Sequence, residues 1–244
     1  MTPKKKSPTT SRSLSDALRI TKLVAASAVL ATFAHAESAD DILKRWDVSS
    51  KDFNAFTADL KQTQYTKVVK KSEQMSAKVR LKRTDKGVFG IVRYVEPDPH
   101  TVLFAGNTVE IYNPKANQKD TYDAKKYSDM IRDVLMLGFG TSGKDVRKDY
   151  SVKEGVSETI GSRRTTRIEL LPKNQKFKEY AEKLELWIPE GESNPLQVKV
   201  TQPSGDYNIY EYFNVKLLKP PLKESDFTWD SDQQPNKSTH VVKN

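Results

Sequence analysis

Cysteine is absent from the 244 residues, and histidine occurs only three times. Without a thiol there is no disulfide frame, thiolate zinc site, iron–sulfur cluster, cysteine nucleophile or lipidated cysteine. Of the histidines, His35 and His240 lie near the two ends. His100, beside Pro99, alone falls within the central sequence. One such histidine without a G-x-S-x-G motif argues against a Ser-His-Asp triad. One histidine with scattered carboxylates gives no metal-ligand spacing, and no cofactor is expected. The Gly138-Phe139-Gly140-Thr141-Ser142-Gly143 run lacks the Lys-Ser/Thr pair of a phosphate loop and reads as a helix stop with a loop. A carboxylate pair for glycoside hydrolysis stays open, since many acids are present and sequence does not give their separations. Apolar runs of transmembrane length are also missing.

Charge of one sign is concentrated at the start. Lys4, Lys5, Lys6, Arg12, Arg19 and Lys22 face only Asp16 within residues 1–36, so +5 of the +9 net charge lies there and +4 remains. The remaining basic residues alternate with acids, which gives no nucleic-acid patch. After Lys22 comes the uncharged run Leu23–Phe33, then Ala34-His35-Ala36. A basic start, a short apolar core and an A-x-A exit form a secretory signal peptide. Cleavage is expected after Ala36, and the mature chain is expected to be exported, soluble and monomeric.

From residue 37 the pattern changes. Ser38 followed by Asp40 and Asp41 is a helix start, and Ile42, Leu43 and Trp46 make an apolar stripe. Period-two alternation follows, clearest in Met75, Ala77, Val79 and Leu81 against Ser76, Lys78, Arg80 and Lys82. Strands are read over 56–65, 88–95, 101–105, 109–112, 118–122, 150–154, 162–171, 183–188, 196–202 and 207–217, besides that one. Tyr127, Met130, Ile131, Val134 and Leu135 recur at helical spacing between them. A short helix or loop over 143–148 and one helical turn over 223–226 complete the set. The fold class is mainly β with helices (α+β). It is a single antiparallel sheet, curved or closed into an incomplete barrel, with its apolar face covered by helix. Residues 37–232 form this domain, and 233–244 read as a flexible polar tail.

Arg83 stands on the parity of Met75–Leu81. Either the strand stops at Lys82 and Arg83 is a solvated turn residue beside Thr84-Asp85, or it reaches inward to backbone carbonyls of the helical cover. The inward reading requires those hydrogen bonds, because a buried guanidinium without partners is costly.

Four segments together resemble the outer-membrane lipoprotein carrier (LolA) family: Asn54–Thr63, Leu81-Lys82-Arg83, Arg93–Pro97 with Gly106–Pro114, and Tyr207–Leu217 followed by Phe227. The resemblance covers most of 38–230. Gly90-Ile91 and the basic stretch 161–178 depart from the family pattern. It implies an open β-barrel with a helical lid over an apolar cavity. It also implies a non-enzymatic periplasmic chaperone that shelters the acyl chains of lipoproteins. The partners implied are acylated lipoproteins, the inner-membrane lipoprotein-releasing ABC transporter and an outer-membrane receptor where one is present. Arg83 is then the residue that holds the lid. On this expectation Leu81, Ile91, Leu186 and Phe213 contribute to the cavity, and Met130, Ile131, Val134 and Leu135 to the lid. Two alternatives are a lipid-binding or envelope-stress sensor on the same fold, and a carboxylate-based periplasmic enzyme.

Overall fold

A computed structural model of the chain describes residues 37–84, 87–125, 134–220, 222–229, 235 and 239–243. The 1–36 segment, Met130 and Ile131 lie outside the described residues.

The alternation in the sequence becomes an open sheet of twelve strands. In chain order these are β1 (Ala55–Thr66), β2 (Lys71–Thr84), β3 (Gly87–Glu96), β4 (His100–Ala105), β5 (Thr108–Asn113), β6 (Gln118–Asp123), β7 (Tyr150–Ile160), β8 (Arg163–Pro172), β9 (Lys183–Pro189), β10 (Gln197–Thr201), β11 (Tyr207–Leu218) and β12 (His240–Lys243). Their spatial order is β12-β6-β5-β4-β3-β2-β1-β11-β10-β9-β8-β7. The first strand therefore pairs with β11, far along the chain, and this seam lies at the middle of the sheet.

Pairing carries the alternation from strand to strand. Phe56, Ala58 and Leu60 face the same side as Leu81, Val79 and Ala77. Gly90, Val92 and Tyr94 continue that side on β3. Leu60 and Gln62 pair with Tyr212 and Tyr210, and Val198, Leu186 and Ile168 extend the row. This inner face is the apolar one. The outer face carries the intervening polar set, including Arg167, bonded to both Glu158 and Glu185, and Lys183 between Glu169 and Glu185.

Two helices pack together beside the inner face. In α1 (Ala39–Ser49) the Ser38 hydroxyl caps the first turn, accepting from the Asp41 N–H at 3.1 Å. Ile42, Leu43 and Trp46 are buried in one cluster with Ile168, Leu184 and Leu186. Burial of each such side chain contributes about 1.5–3 kcal/mol. The Trp46 indole N–H donates to the Ser193 carbonyl at 2.7 Å, so burial leaves no orphan donor. α2 (Gly143–Asp149) crosses so closely that a Cβ on Gly143 would lie 2.0 Å from the Leu43 carbonyl oxygen. Asp47 of α1 accepts from the Lys144 N–H at 2.7 Å and pairs with Arg147 at 3.2 Å. A third short helix, α3 (Gln175–Lys178), buries Phe177.

Two differences from the sequence expectation have physical reasons. β7 runs on to Ile160, because its outer half is an exposed hairpin arm with little apolar content to reveal it. Residues 240–243, read as part of a frayed tail, form β12, which pairs in parallel with β6. The short β-branched run Val241-Val242 is outweighed in the sequence by the polar residues around it. The segment before it also covers part of the outer face. Phe227 is buried there, Arg80 donates to the Asp226 carbonyl at 2.9 Å, and Trp229 donates to Glu110 at 3.2 Å.

Candidate functional site

Where the inner face leaves the shelter of α1, a pocket of about 190 Å³ opens. Its floor is Phe56, Leu60, Val79, Leu81, Val92, Val102 and Phe104, contributed by β1 to β4. Its walls are Tyr94, Tyr210 and Tyr212 together with Val134 and Leu135. Strand alternation explains the floor, since lining residues on one strand are separated by an even number of positions. A larger hollow of about 520 Å³ lies on the outer face, lined by Lys78, Arg80, Arg93 and Lys216 with Asp59 and Asn214. An apolar ligand there would strip water from four cations, so the smaller inner pocket is the candidate for apolar ligands.

The wall carrying Val134 and Leu135 continues across the face. Residues 134–136 are helical and 137–140 form turns. Phe139 is fully buried, stacked on Phe56 with ring centroids 4.2 Å apart and edge-on to Tyr212 at 4.9 Å. Gly140 has φ +87°, and a Cβ there would meet the Phe53 ring at 2.2 Å. Only glycine allows the chain to turn beside that ring.

Arg83 joins this segment to α1. β2 continues through Thr84, so Arg83 follows Leu81 onto the inner side. Its guanidinium donates to the Gly140 carbonyl and, at 2.9 Å, to the carbonyl of Ser50, the C-cap of α1. It also lies over the Phe53 ring, 5.8 Å from the centroid. A cation at a helix C-terminus complements the helix dipole and satisfies carbonyls left over by the last turn.

A polar row runs on from the Tyr94 wall of the pocket. The Tyr94 hydroxyl donates to Gln62 Oε1 at 2.7 Å, and Gln62 Nε2 donates to Asn208 Oδ1 at 3.0 Å. Tyr94 also stacks on His100 at 4.3 Å. Burial pushes the Tyr94 phenol up to about 12. The Tyr210 and Tyr212 phenols are raised too, first by burial and then by repulsion from neighbouring phenolates. All three are neutral donors across the physiological range.

The expected site residues divide. Leu81 lines the pocket together with Val134 and Leu135. Leu186 is on the inner face but wholly buried in the cluster with α1, away from the pocket lining. Ile91 and Phe213 are corrected, because both face outward. Ile91 pairs with Arg80 and borders the outer hollow, and Phe213 is 49 % exposed opposite Asp59. For Phe213 the cause is a bulge: β11 holds an extra residue near Asn214, at φ +51°, and the parity of the strand inverts there. For Ile91 the pairing of Gly90 with Leu81 sets the parity. The structure adds Phe56, Phe139, Tyr94, Tyr210, Tyr212 and Gln62 to the site. Of these, the Tyr210-x-Tyr212 alternation is the signal available in the sequence, whereas Phe139 is hidden in a glycine run that reads as a bare loop.

The sequence model of the outer membrane lipoprotein carrier protein LolA family matches residues 51–230. The chain belongs to the LolA family. No curated protein matches it in sequence. Among solved structures, an uncharacterized conserved protein from Thermus thermophilus is similar at 12 % identity and TM-score 0.50, over 84 % of this chain and 99 % of that one. A LolA superfamily protein of Nitrosomonas europaea is similar at 16 % identity and TM-score 0.38, over 80 % and 99 %. MucB in the MucA/MucB complex of Pseudomonas aeruginosa is similar at 10 % identity and TM-score 0.43, over 80 % and 62 %. The LolA fold is thus mainly β, an open sheet with few helices, and it suggests a role in binding or carrying lipid or lipoprotein.

Proposed function

We propose that the protein is a periplasmic carrier of lipoproteins. It takes their acyl chains into the inner-face pocket and passes them from the inner-membrane releasing transporter towards the outer membrane. The observation that carries this reading is the apolar pocket walled by Val134 and Leu135, whose segment is tied at Gly140 to α1 through Arg83.

Physical scale supports a closed, empty resting state. Burying a chain of about 14 carbons is worth roughly 10 kcal/mol at about 0.8 kcal/mol per methylene. The pocket, at about 190 Å³, holds the volume of about six waters. That is below the ~300 Å³ at which small-molecule pockets begin, and too little for a lipid anchor. Phe139 fills much of the same face. Loading therefore displaces the 134–140 lid with Phe139 and breaks the Arg83 bonds. Unloading restores them. Two charge-assisted hydrogen bonds, each worth about 1.5–3 kcal/mol, would oppose the loaded state enough to make release possible.

The signal peptide over residues 1–36 would supply export, with cleavage after Ala36. The test is delivery of a purified acylated lipoprotein from the carrier to outer-membrane vesicles. Wild type should bind and deliver; Arg83→Leu should bind and retain. Normal delivery by Arg83→Leu would remove Arg83 from the mechanism.

A further inference from the structure

Among the described residues the most exposed large apolar side chain, Val68, sits at the tip of the β1–β2 hairpin with a second exposed valine beside it. Val68 is 91 % exposed and Val69 is 66 % exposed. They occupy the centre of a turn closed by the Lys70 N–H, which donates to the Lys67 carbonyl at 3.2 Å. Turn centres ordinarily take Gly, Asn, Asp, Ser or Pro. Two β-branched apolar residues there break the local rule and gain no packing in return, a pattern expected at functional sites. Lys70 adds to it with φ +52°, a conformation that glycine or asparagine adopts more readily.

The tip is held firmly. The Lys67 N–H donates to Asp206 Oδ1 at 2.8 Å, tying the turn to the β10–β11 loop. Just behind it Tyr65 stacks on Tyr207 at 4.7 Å, and Lys199 lies over the Tyr207 ring at 4.3 Å. The ladder between β1 and β2 is unbroken from Thr66–Lys71 to Ala55–Lys82. Around the valines the sequence is Thr66-Lys67-Val68-Val69-Lys70-Lys71, with three cations and no acid. Two acids touch this stretch: Asp206 accepts from the Lys67 N–H, and Glu73 pairs with Lys71 at 2.9 Å in a contact open to water. Val68 stands about 25 Å along the strand from Leu60 of the pocket floor, at about 3.3 Å per residue.

We propose that this hairpin tip docks on an anionic bilayer surface, with Val68 and Val69 entering the headgroup boundary and Lys67, Lys70 and Lys71 meeting phosphates. Rigid apolar side chains ringed by lysines match that surface in both polarity and charge, and each basic residue near such a surface adds to the attraction. This docking stands apart from acyl-chain binding, and failure of either leaves the other intact.

The test is co-sedimentation of the exported protein with phosphatidylcholine vesicles, with and without phosphatidylglycerol. Binding is expected to the anionic vesicles and to weaken as salt is added. Val68→Asp with Val69→Asp should lower the affinity about tenfold or more, and Lys67→Gln with Lys70→Gln and Lys71→Gln should abolish the salt dependence. Val68→Trp should shift its emission to the blue on anionic vesicles. Circular dichroism should show these variants folded, since both valines are exposed. No binding to either vesicle, equal binding to neutral vesicles, or full binding by the aspartate variant would overturn the proposal. So would a concentration-dependent dimer that Val68→Asp dissolves, which would make a second copy the partner.

Discussion

Phe139 lies stacked on Phe56, ring centroids 4.2 Å apart and planes 9° from parallel, one residue before the carbonyl that accepts from Arg83. The side chain that fills the inner face and the atom that fastens its segment are thus neighbours in sequence. Anything that lifts Gly140 away from Arg83 draws on the Phe139 ring as well. This coupling generates the first two predictions.

Phe139→Ala should destabilise the fold by about 3–5 kcal/mol, the usual cost of removing a buried aromatic ring. It should also raise the uptake of a fluorescent acyl probe. Thermal unfolding and probe titration check the two effects. Opposite signs are required; a stability loss with unchanged uptake would make Phe139 ordinary core.

Arg83→Leu removes the donors of two carbonyls, Ser50 and Gly140. Each bond to the charged group is worth about 1.5–3 kcal/mol, so a melting shift is expected, together with retained cargo in the delivery assay. Arg83→Lys should rescue only in part, because an ammonium lacks the planar fork that spans two acceptors. Full rescue by Lys would show that charge alone suffices.

Both residues show what is legible in the sequence. The strands can be read because a half-buried sheet writes period two directly into the chain, as in Met75–Leu81. Arg83 can be singled out because a charge on an apolar parity is conspicuous. Phe139 cannot, since its place depends on a chain path through Gly138 and Gly140 that has no periodicity. Phe213 is misread because a single extra residue at the Asn214 bulge inverts facing without altering composition. Ile91 is misread by taking a hydrophobic residue as inward, when Gly90 holds that register. Leu186 has the right face but the wrong region, because parity reports side and not position along the sheet.

Gly143→Ala should destabilise through contact between helices. Its Cβ would sit 2.0 Å from the Leu43 carbonyl oxygen, so α1 and α2 must separate. A cost of about 1–3 kcal/mol or more is expected. Chemical denaturation measures it, with Ser142→Ala as the comparison: the Ser142 hydroxyl caps α2 by accepting from the Asp145 N–H at 3.1 Å, and its loss costs about 1 kcal/mol.

Alkaline pH should unfold the protein through its pocket. Tyr94, Tyr210 and Tyr212 all have phenols raised above the ordinary value of 10.0, with Tyr94 pushed up to about 12. The folded state therefore binds these protons more tightly than the unfolded chain. Their contribution is complete below about pH 10 and is lost as pH rises through the folded-state values. Tyr94→Phe should flatten the fall in stability between about pH 10 and about pH 12. Tyrosinate absorption should show these groups ionising together with unfolding. Free titration of all ten tyrosines before unfolding would contradict the buried placement.

The carrier reading is tested most directly by native mass spectrometry of the protein purified from cells that express it, with extraction of whatever it carries. The account predicts an acylated peptide or lipoprotein bound one-to-one, and added lipopeptide should raise the melting temperature of the empty fraction. A protein that emerges without lipid, and whose melting temperature an added lipopeptide leaves unchanged, would contradict it.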